Sequence, residues 1–345
     1  MARLNELVRS QGVPQGKGSS PPPKGDQSSA VSFKKMEENV TQVSAEQQAQ
    51  VALEADQWLV RAETELTAIV SAVRRTQAFL LTGVTQIVNG FVDSLAHCDR
   101  LLIKAISGGR GGLVISNLIN TAIIAIKVGM GLRYSREDLA RLGLAAILHD
   151  VGMCLIPENI VNKQGPLSPE EWNSVERHPE LGAQAIRRLG AEAEWIAELV
   201  LQEHERFEGQ GYPRQLKGEE IHEYAQIIGL ADTFEALLHV RPYRKQFLPH
   251  EAIRELVTKE RGAFSTRVLK SLIQQFSVFP LGTRVRLNSG EAAEVVELNQ
   301  KYPLRPIVKV YMDSGQVALS QPRTLDLSKT SLVHITEVVQ DDRQI

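Results

Sequence analysis

Apolar residues along this chain follow two rhythms. From about Met36 to Ser107 there is no proline, and Leu66, Ile69, Val70 and Val73 keep the i, i+3, i+4, i+7 spacing of one buried helical face. A second apolar stretch, around Phe79 to Ile106, predicts a helix packed inside a bundle. Leu113 to Leu132 is long and apolar enough to be weighed as a bilayer span. Asn117, Asn120, Thr121 and Lys127 interrupt it and no aromatic anchor precedes it, so a buried bundle helix is expected and no membrane span. Helical spacing continues to about Phe276, broken at Gly165-Pro166, Gly190 and Gly211-Tyr212-Pro213. Ser168-Pro169-Glu170-Glu171 reads as a helix start, with a capping serine, proline first and acids at the positive dipole end. Ser135-Arg136-Glu137-Asp138 is another. After Pro280 the rhythm becomes alternation. Val285 and Leu287, then Val295, Val296 and Leu298, then Ile307 to Tyr311 are short strands, with turns at Asn288-Ser289-Gly290 and Asp313-Ser314-Gly315.

The expected architecture is mainly α, a helical bundle with a helical N-terminal extension and a small C-terminal β subdomain. Residues 1–35 are rich in Pro, Gly, Ser and Gln with an excess of basic side chains, the composition of a disordered tail. Residues 36–110 form the helical N-terminal region, 111–278 the main helical domain and 281–340 the β subdomain. The N-terminal helices fit either of two roles, as part of the main bundle or as a dimerising element.

Composition narrows the function. The 345 residues carry 39 Lys and Arg against 41 Asp and Glu, a net charge of −2, which argues against nucleic acid as a partner. No apolar leader follows Met1, and the two cysteines, Cys98 and Cys154, form no C-x-x-C pair, so a reducing, cytoplasmic setting is expected. Eight histidines are the residues best suited to metals or proton transfer. His149 and Asp150 adjoin at the end of a helix whose Leu139, Leu142, Ala146 and Ile147 face a core. His178 precedes Pro179, His204 lies between Glu203 and Glu205, and Asp232 interrupts the apolar Ile227 to Phe234. Each has a bland reading alone. An ionised aspartate in an apolar helix nevertheless needs a partner, and a divalent cation shared with imidazoles is one.

The order and surroundings of these residues resemble the HD-GYP family, a branch of the HD-domain metal-dependent phosphohydrolases. His149-Asp150-Val151-Gly152 is similar to its H-D-x-G-K signature, and His178-Pro179-Glu180-Leu181-Gly182 to a later segment. His204 to Pro213 carries the namesake Gly-Tyr-Pro, and Asp232 to Leu237 with Arg241 to Lys245 completes the match, over about residues 113–275. The resemblance implies hydrolysis of cyclic di-GMP, with one or two divalent ions, iron or manganese. It implies that Asp150 bridges them, with His149 and Asp232 on one ion and His178 and His204 on the other. Gly211 and Tyr212 would shape the nucleotide pocket, and Arg241 and Arg244 would meet phosphate or guanine. Signalling proteins docking on the N-terminal helices, and a homodimer, are the further partners that this reading admits.

The chain also departs from the family. Asn117 stands where another metal histidine is usual, and Leu113 where some members carry a glutamate. Glu203 replaces the first of two consecutive histidines, and Met153 replaces the signature lysine. Two expectations follow. One is a phosphodiesterase weakened by lost ligands. The other is a catalytically degenerate member that senses cyclic di-GMP or serves as a signalling scaffold.

Overall fold

Thirty residues without proline or glycine run as one helix, α1 (Ala45–Arg74). Its buried face is Ala55, Leu59, Ala62, Leu66, Ile69 and Val73, alternating steps of four and three. The helix gives out before Thr76, whose φ of 60° lies in the left-handed region. The computed structural model describes residues 45–107, 113–163, 165–239, 246–260, 262–276, 282–297, 299, 305–330 and 332–339. The tail at 1–35 lies outside them.

The stretch from Phe79 to Ile106 divides into α2 (Thr82–His97) and α3 (Arg100–Ser107). No glycine or proline marks that break. Cys98 is extended (φ −154°, ψ 155°), and the polar corner is held by Lys127 on Asp99 at 2.5 Å. Next come α4 (Leu113–Gly131), α5 (Arg136–Ala146), a 3₁₀ turn (Val151–Leu155), α6 (Glu158–Val161), α7 (Pro169–Val175), α8 (His178–Arg187) and α9 (Glu194–Val200). After the Gly211-Tyr212-Pro213 loop follow α10 (Glu223–Leu238), α11 (Pro249–Lys259) and α12 (Thr266–Gln275). Both expected N-caps form. Ser135 Oγ accepts from Asp138 N at 3.1 Å, and Ser168 makes a reciprocal capping box with Glu171.

Helix α4 is the axis of the bundle, packed by α3, α5, α10 and α12. Its segment Val114–Gly131 is long and apolar enough to cross a membrane, with mean hydropathy 1.5, yet 61% of it is buried by these neighbours. Helix α1 lies against α2, α4 and the 3₁₀ turn. Arg74 fastens that last contact, donating to the Cys154 carbonyl at 3.2 Å and pairing with Glu158 at 3.0 Å.

The strands are β1 (Arg284–Leu287), β2 (Ala292–Glu297), β3 (Ile307–Met312), β4 (Ala318–Asp326) and β5 (Ile335–Val338), antiparallel in the order β4-β3-β2-β1-β5. Val285 lies opposite Ala293 and Ala293 opposite Val310, so the alternating apolar residues share one buried face. Strands β4 and β5 lacked a clear alternation signal. Most of β4 is exposed and it contains Pro322, and β5 has only four residues.

Candidate metal centre

Four separate segments deliver the donors. The end of α5 turns into the 3₁₀ turn and leaves His149 buried, 1% exposed, with Asp150 beside it. His178 opens α8. Glu203 and His204 follow the apolar run of α9, and Asp232 sits midway along α10. Glycines allow these segments to approach. A methyl group on Gly152 would strike the His178 carbonyl, one on Gly211 the His204 carbonyl, and one on Gly229 the Glu203 carbonyl. Three glycines thus set the backbone spacing of the ligand-bearing segments.

The ring nitrogens are oriented from behind. His149 Nδ1 lies 2.7 Å from the Ala146 carbonyl and His178 Nδ1 lies 2.6 Å from that of Val175. A carbonyl only accepts, so each Nδ1 carries the hydrogen and Nε2 faces the site. His178 Nε2 is 2.9 Å from Asp150 Oδ1, 3.4 Å from Glu203 Oε1 and 2.9 Å from His204 Nε2. One donor atom each from Asp150, His178, Glu203 and His204 lies within 4.8 Å of all the others. His149 Nε2 stands at the edge of this group, 4.0 Å from Glu203 Oε2 and 3.8 Å from Asp232 Oδ1. Tyr212 stacks on the His204 ring, centroids 4.8 Å apart and planes 18° off parallel. Gly211 precedes it at the close approach to His204.

Electrostatics show what the cluster lacks. Burial pulls the His149 imidazolium down, but the Glu203, Asp232 and Asp150 carboxylates outweigh it and raise the group to about 10. Burial likewise opposes charge on His178, yet Asp150 and Glu203 hold it well above its usual range. Burial would raise Asp150, and His178 and His149 bring it below the ordinary carboxylate range. Burial pushes Glu203 up to about 7. Burial, reinforced by the His178 charge, presses His204 down to about 3. The carboxylates therefore demand positive charge, which a divalent cation supplies.

A metal fits on the chain's own terms. His149 Nε2, Asp150 Oδ1 and both Glu203 carboxylate oxygens are buried and make no hydrogen bond. Such atoms are costly to bury unless something charged sits among them. Mixed imidazole and carboxylate donors suit first-row ions.

The departures from the family pattern acquire locations. Asn117, 4% exposed, donates through Nδ2 to Asp232 Oδ1 at 2.8 Å and to Glu235 Oε2 at 3.0 Å. Asn120 donates to the other Glu235 oxygen at 3.1 Å, and His239 Nδ1 lies 2.9 Å from that same oxygen. The sequence reading assigned Glu235 no role. Its signal was a second acid three residues after Asp232, on the same side of an apolar helix. Met153 is half-buried in the 3₁₀ turn. Arg241 and Arg244 lie outside the described residues.

Comparison with known proteins agrees with this geometry. Residues 110–265 match the HD domain model, and residues 284–344 match a KOW domain associated with HD domain. The cyclic di-GMP phosphodiesterase PA4108 of Pseudomonas aeruginosa is 30% identical over 212 residues, 61% of this chain and 51% of that protein. The cyclic di-GMP phosphodiesterase response regulator RpfG of Xanthomonas campestris pv. campestris is 34% identical over 198 residues, 56% of this chain and 50% of that one. The chain thus spans about half the length of these curated relatives. The solved structure of Bd1817, a HDG"Y"P protein from Bdellovibrio bacteriovorus, shares the fold, with a TM-score of 0.54 at 15% identity over 70% of this chain and 76% of that one. All six candidate donors lie inside residues 110–265, which form an HD domain similar to those of curated cyclic di-GMP phosphodiesterases.

Proposed function

We propose that the chain is a metal-dependent phosphodiesterase that opens cyclic di-GMP, working below the rate of a fully equipped relative. The observation that carries this reading is the convergence of Asp150, His178, Glu203 and His204, with His149 and Asp232 at their edge and the Asp150 and Glu203 carboxylates buried among imidazoles. Two relatives named as cyclic di-GMP phosphodiesterases support the substrate. Iron or manganese in the divalent state suits the donor set. The bound ion would activate water and stabilise charge on the phosphate. Asp150, with side-chain exposure of 20%, is a carboxylate of the cluster that solvent and substrate can reach. Tyr212 braces the His204 ring from one side. The backbone carbonyls behind His149 and His178 keep both rings in the tautomer that turns a bare Nε2 toward the centre. Arg241 and Arg244 are assigned to phosphate or guanine. The two cysteines are free, in keeping with a cytoplasmic setting.

A second reading has an observation of its own. Asn117 presents hydrogens to Asp232 where a metal histidine is usual, and Met153 brings no cation to the phosphate. A chain so altered can bind cyclic di-GMP and report it, to partners on the N-terminal helices or through a dimer, without hydrolysis.

The test is turnover by metal-depleted full-length protein reloaded with manganese or ferrous iron. Metal-dependent release of linear dinucleotide or GMP, abolished by Asp150→Ala, is the outcome expected. Tight binding without product would establish the sensor reading in its place, and neither binding nor product would remove both.

A further inference from the structure

The two halves of the centre are not equally open to a cation. We infer that the chain holds one divalent ion tightly, on Asp150, His178, Glu203 and His204, and that Asn117 and Glu235 close the neighbouring position at His149 and Asp232 to a second ion. The inference takes from the proposed function only that a metal binds.

Asn117 has one amide group with two hydrogens, and both are spoken for. One goes to Asp232 Oδ1 at 2.8 Å and the other to Glu235 Oε2 at 3.0 Å. Turning the amide over would set its carbonyl oxygen against two carboxylate oxygens, so the acids determine which way it faces. It is Asn117 Nδ2, and not Oδ1, the atom a metal would need, that faces Asp232 and Glu235. Glu235 is in turn held on Oε1 by Asn120 at 3.1 Å and His239 at 2.9 Å, and it cannot swing toward the centre without breaking these contacts. An ion brought to Asp232 Oδ1 therefore meets amide hydrogens carrying positive partial charge. The amide does there, weakly and without net charge, what a cation would do.

Among the described residues, nothing comparable intrudes on the other half. No amide donates to Asp150 Oδ1 or to either Glu203 oxygen; what faces them is imidazole, with His178 Nε2 at 2.9 Å from Asp150 Oδ1 and 3.4 Å from Glu203 Oε1. The Nε2 atoms of His178 and His204 lie 2.9 Å apart, a separation that requires a proton or a cation among them. Two carboxylates and two neutral imidazoles balance one divalent charge, and their four donor atoms already lie within 4.8 Å of one another. Glu203, standing where the family has histidine, supplies one of those two charges.

The experiment counts ions. Full-length protein is stripped with chelator, equilibrated with Mn²⁺, freed of excess and assayed by mass spectrometry for manganese per chain, with electron paramagnetic resonance to detect coupled ions. One ion per chain with an uncoupled spectrum is expected. His149→Ala should keep that ion, and His178→Ala or Glu203→Gln should lose it, with circular dichroism confirming folded variants. Asn117→His should raise the count to two and introduce coupling. Two ions in the unaltered chain would overturn the inference, with no variant needed. So would loss of the ion from His149→Ala but not from His178→Ala, or a count that stays at one in Asn117→His. Two ions together with turnover of cyclic di-GMP would sink this inference and leave the proposed function standing. One ion without turnover would do the reverse.

Discussion

The His178 half and the His149 half of the centre begin from the same materials: a histidine oriented by a backbone carbonyl, a neighbouring carboxylate and deep burial. In the first, Glu203 is left bare of hydrogen bonds and leans toward His178 and His204 at 3.4 and 3.5 Å. In the second, Asp232 is already engaged by Asn117, and Glu235 behind it is engaged three times over. The lesson is that burying acids does not by itself make a metal site. What matters is whether the surrounding amides satisfy those acids or leave them wanting. An apolar surrounding sharpens both outcomes, since an unmet carboxylate there costs far more than in water.

The sharpest way to break this comparison is to remove one histidine from each half. His178→Ala should lower turnover by about 10³-fold, at the upper end of what losing one electrostatic stabiliser costs. His149→Ala should have the smaller effect, measured as kcat under saturating manganese; the opposite ranking would invert the assignment of the halves. Gly152→Ala comes next. A methyl group there meets the His178 carbonyl, and because backbone must move, a loss of about 3 kcal/mol is expected in denaturant melts, together with weakened metal binding.

Acidity offers a milder probe, on protein stripped by chelator. His149 is held at about 10, so its protonated form adds stability in full below its ordinary value of 6.5. That contribution is lost as pH rises through about 10. Burial raises Glu203 to about 7, which also costs stability as pH rises above its ordinary 4.5. Stripped protein should therefore melt at falling temperature from pH 7 to 10, and manganese should flatten the slope. A slope unchanged by manganese would separate the titrating groups from the ion. The smallest effect expected is that of Ser168→Ala. It breaks the capping box of α7, costs about 1 kcal/mol and leaves the metal count unchanged.

Periodicity made the helices legible, and in α1 the apolar spacing named the buried face residue by residue. The corner at Cys98 was not legible, because no glycine or proline marks it and the turn is held by Lys127 from another helix. Strand β4 was hidden for a related reason. An edge strand that buries little has little need to alternate. At the centre, the histidines and aspartates could be read from their order. The direction of the Asn117 amide could not. It depends on Asp232 and Glu235, which stand 115 and 118 residues away in sequence and come within reach only when α4 and α10 pack. Sequence shows which polar residues are present on an apolar helix; tertiary packing decides whether they donate or ligate.

Gly152 has one more consequence. Its Cα sits so near the His178 carbonyl and the backbone of Gly182 that main chain rests directly on main chain. The interval between Asp150 and His178 is thus a hard gauge, with no compressible side chain between its jaws. Repacking elsewhere in the bundle can make the protein melt sooner, but it leaves the gauge reading the same. The spacing of these two side chains should therefore persist until the chain unfolds, and be lost all at once.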